Sequence, residues 1–155
     1  MKNFSKLFLP LAAIFFLLLA TGKAFSADSS PAIGTLQKAG GSAAVVRQGQ
    51  VIQAKPGLPI QANDTLRTGS DGSIGVVFND DTCLSLGPES VLVVDEFVFA
   101  PRQAKMSIVF RMMKGTAVYL SGLIAKLAPD SVRFLTPSAS IGIRGTKFAV
   151  KVEDR

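Results

Sequence analysis

Short runs in which apolar and polar residues alternate constrain the fold of this chain more than any other feature. The clearest run covers residues 105–112, in which every second side chain is apolar: Met106, Ile108, Phe110 and Met112. Successive side chains of a β-strand point to opposite faces of its sheet, so this pattern predicts a strand with one buried face. Similar runs recur between Gly, Pro, Asn and Asp residues, and they predict an all-β domain, a compact β-sandwich or β-roll of short, mostly antiparallel strands. A β-solenoid is the alternative, which no clear repeat period in the sequence supports.

Two further alternating runs predict a hairpin and a last strand. Residues 73–78 alternate in the same way as residues 84–86, and the Asn-Asp-Asp sequence at residues 79–81 supplies a turn between them. Residues 147–152 also alternate, with two lysines on the face opposite to the apolar side chains. We therefore expect the last strand to have a cationic outer face.

Two stretches are more apolar than alternation requires, namely residues 91–94 with 97–99, and residues 116–124. Strands that are buried on both faces have this composition, and both stretches are candidates for such central strands. Residues 120–127 can instead form a short helical turn, because their leucine and isoleucine side chains recur at helical spacing and Pro129 would stop the turn.

Residues 1–26 have the three parts of a secretory signal peptide. A basic start leads into an apolar run over residues 7–20, and Ala24 and Ser26 place small side chains before a cleavage site. The apolar run is short for a membrane span, which needs roughly 20 residues. We predict cleavage after residue 26, export to the periplasm or out of the cell, and no stable membrane span afterwards. An uncleaved N-terminal anchor is the alternative.

The exported part is expected to be one domain. Residues 27–32 are small and polar with one Pro, which indicates a short tether, and residues 33–155 are long enough to close a single core. Loss of the signal lysines changes the balance of basic against acidic residues from 17 against 11 to 14 against 11. This excess is too mild to indicate a nucleic acid partner.

Two counts restrict the chemistry that is available: the chain has one cysteine, Cys83, and no His. A single cysteine allows no internal disulfide, so Cys83 is predicted to be a small apolar side chain of a strand, with dimerisation through its thiol as the alternative. Without His, the chain lacks the commonest general base and the commonest metal ligand. The adjacent carboxylates at residues 80–81 and 95–96 would point to opposite faces of a strand, so neither pair makes an acid/base site. We predict no enzyme, no cofactor and no metal.

Three blocks of the sequence carry a family pattern. They are residues 63–69 (Asn-Asp-Thr-Leu-Arg-Thr-Gly), residues 81–82 with 84–87 (Asp-Thr and Leu-Ser-Leu-Gly), and residues 141–150 (Ile-Gly-Ile-Arg-Gly-Thr-Lys-Phe-Ala-Val). With these blocks, of which the last is the most specific, the chain resembles the FecR domain family of bacterial envelope proteins from Gly34 to Val152.

This resemblance implies an envelope sensing or interaction domain. The founding members of the family are inner-membrane relays that connect an outer-membrane siderophore receptor with a cytoplasmic sigma factor. From the sequence we expect no cytoplasmic segment before the export signal and no internal membrane span. We therefore expect a stand-alone exported FecR-like domain rather than a complete relay.

The candidate binding residues come from these blocks and are Arg144, Thr146, Asp64 and Arg67. Arg144 stands between two glycines, where a guanidinium either packs against carbonyls or binds an anion with two hydrogen bonds. The leading hypothesis is a non-catalytic periplasmic binding or scaffolding module that contacts an envelope protein or glycan. The alternative is the exported component of a split signalling relay that acts on a sigma factor through a membrane partner, and an enzyme with a Ser-Lys pair is the third hypothesis. The oligomeric state does not follow from the sequence.

Overall fold

A computed structural model of the protein describes residues 30–145 and 147–153. The predicted signal peptide at residues 1–26 lies outside the described residues, so its cleavage and the domain boundaries stay predictions. No helix within the described residues is long and apolar enough to cross a membrane.

The described residues form twelve strands, one short α-helix and two 3-10 turns. The strands are β1 (Gly34–Gly40), β2 (Ala43–Arg47), β3 (Gln50–Gln53), β4 (Pro59–Ile60), β5 (Thr65–Thr68), β6 (Ser73–Phe78), β7 (Cys83–Leu86), β8 (Val91–Ala100), β9 (Lys105–Leu120), β10 (Val132–Leu135), β11 (Ser140–Gly142) and β12 (Lys147–Val152). The helix α1 spans Leu123–Leu127, and the 3-10 turns span Pro101–Gln103 and Pro129–Ser131. The predicted all-β class is confirmed.

The strands form one sheet that folds over on itself and so has two halves. The first half has the order β3-β2-β5-β8-β9-β10-β11, and the second half has the order β12-β9-β7-β6-β1-β4. In the described part of the chain, neighbouring strands pair antiparallel except β9 and β10, which pair in parallel. This pairing confirms the predicted mostly antiparallel sheet. It differs from a β-solenoid, in which the stacked strands run parallel.

The strand β9 passes from one half of the sheet to the other at Gly115. Up to Lys114 it pairs with β8, and from Gly115 onward it pairs with β12 and β7. Gly115 has a φ of +95°, a conformation that glycine adopts without the steric cost that other residues meet. A Cβ atom at this position would overlap Ser90. Because Ser90 Oγ also accepts a hydrogen bond from the Thr116 backbone N–H at 2.9 Å, the chain is held just after the bend.

An aromatic core lies between the two halves. Three ring pairs each join a residue of the first half to one of the second: Phe97 with Phe78 at 5.4 Å, Phe110 with Tyr119 at 6.1 Å, and Phe134 with Phe148 at 5.3 Å between centroids. These separations are those of favourable aromatic pairs. Phe110 and Tyr119 lie on the two arms of β9 and are fully buried. The fold is therefore a curled, roll-like sheet around one core.

Most of the predicted elements are present. Residues 105–112 form the first part of β9 with one buried face, β6 and β7 form the predicted hairpin, and β12 exposes two lysines opposite half-buried apolar side chains. The predicted helical turn is α1, which ends before Pro129. The prediction of strands buried on both faces is wrong, because burial alternates along β8 and along the second part of β9.

Candidate functional site

Asp64, a predicted binding residue, lies fully buried just before β5. Its two carboxylate oxygens accept hydrogen bonds from Arg47 Nε at 2.8 Å and from Arg47 Nη2 at 2.7 Å. The backbone N–H of Gln61 donates to the same carboxylate at 2.8 Å, and Arg47 also donates to the Pro59 carbonyl at 2.8 Å. This bidentate ion pair between Arg47 and Asp64 joins β2 to the segment before β5. Asp64 therefore stabilises the fold, and its carboxylate is not accessible to a ligand.

Arg67 and Arg144 are both exposed, and they lie in different parts of the molecule. Arg67 is on the outer face of β5, beside a shallow depression next to β2 and β3. Arg144 is in the loop between β11 and β12. Three strands separate β5 from β11 in the first half of the sheet, which corresponds to a path of roughly 19 Å along the sheet at the usual spacing of strands. The predicted residues do not form one site, and Thr146 lies outside the described residues.

The environment of Arg144 leaves its guanidinium accessible. Its side chain is 80% exposed, and its Nη2 atom lies 3.4 Å from Asp130 Oδ1, on a side chain that is 86% exposed. Exposed ion pairs of this kind contribute little to stability because water competes with both charges. Of the two interpretations of Arg144, packing against carbonyls does not fit this exposure, whereas binding an anion does.

A second buried carboxylate, Asp80, was predicted only as part of a turn. It accepts hydrogen bonds from the Thr82 hydroxyl at 2.9 Å, from the Thr82 backbone N–H at 3.1 Å and from the Ile124 backbone N–H at 3.1 Å. Asp80 thereby ties the β6–β7 turn to the start of α1. Next to it, burial raises the pKa of the Tyr119 phenol above its ordinary value, and the Asp80 charge acts in the same direction. No sequence signal indicated this network, because α1 is more than 40 residues from the turn.

The curled sheet stays open between β11 and β12. A cleft of about 760 Å³ lies there, which we call the β11–β12 cleft, and its walls include Met113, the turn of residues 136–139, Ile141, Val150 and Val152. Within the described residues, β11 pairs with β10 alone and β12 pairs with β9 alone. Each strand therefore has one edge that pairs with no other strand in the described part of the chain.

Positive charge lies beside the β11–β12 cleft. Lys147 and Lys151 are exposed on the outer face of β12, and Arg144 precedes this strand. Lys151 Nζ lies 2.8 Å from Glu153 Oε1, and this contact raises the pKa of Lys151 and lowers that of Glu153. Both side chains are largely exposed, so the pair can exchange with a carboxylate from another molecule at little cost.

The described residues contain no group of three or more Cys, Asp and Glu side chains that could hold a metal ion. Cys83 is half-buried on β7, and its Sγ atom lies 3.8 Å from the Asp81 carbonyl oxygen.

The comparison with protein families gives one match. A family model described as FecR protein matches residues 64–155, which is more than half of the chain. The matched range starts at the buried carboxylate before β5 and includes β8, β9, α1 and β12. No curated protein and no solved structure matches the chain.

Proposed function

Because the chain belongs to the FecR family, a family involved in signalling regulation at the bacterial envelope, we propose that it is a non-catalytic binding or scaffolding module of the periplasm. Its partner is an envelope protein or an envelope glycan. The predicted signal peptide supports the location, since residues 1–26 have the parts that export requires.

The exposure of Arg144 carries this proposal. Arg144 belongs to the most specific block of the family pattern, and the fold leaves its side chain 80% exposed instead of using it in the core. A guanidinium offers donors in a planar fork that fits a carboxylate or a phosphate. The partner is therefore expected to present an anionic group to the loop between β11 and β12.

The buried acidic residues support a binding role over catalysis. Asp64 receives three hydrogen bonds, from Arg47 and Gln61, and Asp80 receives three, from Thr82 and Ile124. A general base needs an acceptor within reach of a substrate proton. Both of these carboxylates are fully buried and hold elements of the fold together instead.

The test is crosslinking in the native cell with a photoreactive amino acid in place of Arg144. The expected result is one main adduct, identified by mass spectrometry as a named envelope protein or glycan. A photoreactive residue at Lys55, which is exposed in the loop between β3 and β4, is the matched control and should give no such adduct. A folded Arg144 variant that captures nothing would refute the proposal.

Membership of the FecR family also favours a second function, the exported component of a split signalling relay. In that case a separate membrane protein would carry the signal to a sigma factor. Deleting the gene for this chain should then change the transcription of genes that depend on that sigma factor, as measured by RNA sequencing. A binding module without signalling leaves this transcription unchanged.

A further inference from the structure

We propose that the β11–β12 cleft receives an extended strand of a partner protein, which pairs with β12 and presents apolar side chains inward and acidic side chains outward. This inference rests on the proposed binding function and assigns its surface and the chemistry of its partner. The unpaired edge, the open core and the charge each contribute a separate argument.

The first argument concerns the backbone. β12 has six residues, and within the described residues it pairs only with β9. A strand that adds to the free edge of β12 would satisfy its unpaired N–H and C=O groups, and such main-chain bonds provide affinity in known cases of strand addition. β11 has only three residues, so β12 offers the longer template.

The second argument concerns the core at this edge. Phe148, Val150 and Val152 point inward from β12, and Ile141 does so from β11, but all four side chains are only half-buried. By contrast, Ile108, Phe110 and Met112 of β9 are fully buried. A strand beside β12 would cover the half-buried residues if its own inward side chains were apolar. The volume of the cleft, about 760 Å³, is within the range of ligand-binding pockets.

The third argument concerns charge on the outer face. Lys147 and Lys151 are four residues apart on the same face of β12, on either side of Ala149, so two outward residues of an added strand would lie opposite them. Acidic side chains at those positions make favourable cross-strand pairs. The partner segment is therefore about six residues long, with Asp or Glu opposite the two lysines and apolar residues between them.

Charge opposes one register in which a second copy of the chain could pair with this edge. Antiparallel pairing of two β12 strands centred on Ala149 would place Lys147 of each copy opposite Lys151 of the other. Like charges directly opposite each other destabilise a sheet. The cationic face therefore disfavours self-pairing in this register and favours an acidic partner.

The test measures binding of a labelled synthetic peptide, in which Glu and Val alternate, by fluorescence polarisation. The protein is purified in the form that accumulates in the cell. The Glu-Val peptide should bind, whereas a Lys-Val peptide and a fully N-methylated Glu-Val peptide should not. The double variant Lys147→Glu/Lys151→Glu should weaken binding of the Glu-Val peptide by roughly tenfold to thirtyfold, as expected for two reversed cross-strand charge pairs. The same variant should gain binding of the Lys-Val peptide.

The matched control is Lys55→Glu/Lys105→Glu, which reverses two exposed lysines away from the cleft and should leave binding unchanged. Equal weakening by the control, or binding of the N-methylated peptide, would overturn the proposal. The proposal would also be overturned if analytical ultracentrifugation showed a dimer that the Lys147→Glu/Lys151→Glu variant abolishes, because the free edge of β12 would then pair with a second copy of the chain. Capture at Arg144 in cells without any peptide binding would overturn strand addition and leave the proposed function intact.

Discussion

Replacing Asp64 with Ala tests whether this residue belongs to the fold or to a binding site. The substitution removes the two hydrogen bonds from Arg47 and the one from Gln61. The Arg47 side chain, which is 16% exposed, keeps its hydrogen bond to the Pro59 carbonyl. Breaking a buried ion pair costs about 3–5 kcal/mol, and we take about 3 kcal/mol because Arg47 keeps some contact with water. With a urea m-value of about 2 kcal/mol/M, the unfolding midpoint falls by about 1.5 M.

The assay is urea unfolding followed by circular dichroism. Asp130→Ala is the control, since it removes the exposed partner of Arg144 and is expected to cost no more than about 0.5 kcal/mol. If Asp64→Ala shifts the midpoint no further than Asp130→Ala does, the reasoning is refuted and Asp64 has no structural role. The double variant Arg47→Met/Asp64→Leu should lose less stability than the sum of the single variants, because no unpaired charge stays buried.

Three further predictions concern the bend, the core and the one tyrosine. Gly115→Ala should lower the free energy of unfolding by at least about 2 kcal/mol, because of the positive φ and the overlap with Ser90. Gly142→Ala is the control, since the space around Gly142 is open, and it should change the free energy of unfolding by less than about 0.5 kcal/mol. Thermal unfolding measures both changes. Phe110→Ala, which removes ring contacts with three other aromatic residues, should cost about 3–5 kcal/mol in the same assay, and a cost below that of Leu→Ala at an exposed site would contradict the described core. The absorbance of Tyr119, the only Tyr in a chain without Trp, should titrate at higher pH in the folded protein than in urea. Because the folded state disfavours the charged phenolate, the contribution of Tyr119 to the free energy of unfolding is fully present below about pH 10 and is lost as the pH rises through the folded pKa. Coincident titrations of the folded and the urea-unfolded protein would show that the phenol is not buried.

Local patterns were sufficient to predict the strands but not the way in which the sheet closes. The alternation at residues 105–112 predicted the first part of β9, and the Asn-Asp-Asp turn predicted the β6–β7 hairpin, because each depends on neighbouring residues alone. The bend at Gly115 was not predicted, since a glycine in an apolar run is equally compatible with a turn between two strands. Its positive φ and the approach of Ser90 become evident only when β8 and β9 are paired.

The predicted site residues show the same limit more clearly. Asp64 was chosen from its motif, but the partner that determines its role, Arg47, lies 17 residues earlier on another strand. Arg144 stands between two glycines in the sequence, but its 80% exposure follows only from the way in which the loop between β11 and β12 is placed. The β11–β12 cleft has no sequence signature. It lies between β11, which is joined to the first part of β9 through β10, and β12, which pairs with the second part of β9.

The division of the family motifs between buried and exposed residues determines where function should be sought. Asp64 begins the range that matches the FecR family, and its carboxylate is bound by other residues of the fold. A family match at this position therefore indicates a shared fold and not a shared ligand. Arg144 lies in the same range and is not needed by the core. Because a shared fold does not by itself specify a shared partner, members with this architecture can differ in what they bind through their exposed residues. The outward residues of β12 and the loop before it are therefore the positions at which a change should alter the partner without altering the fold.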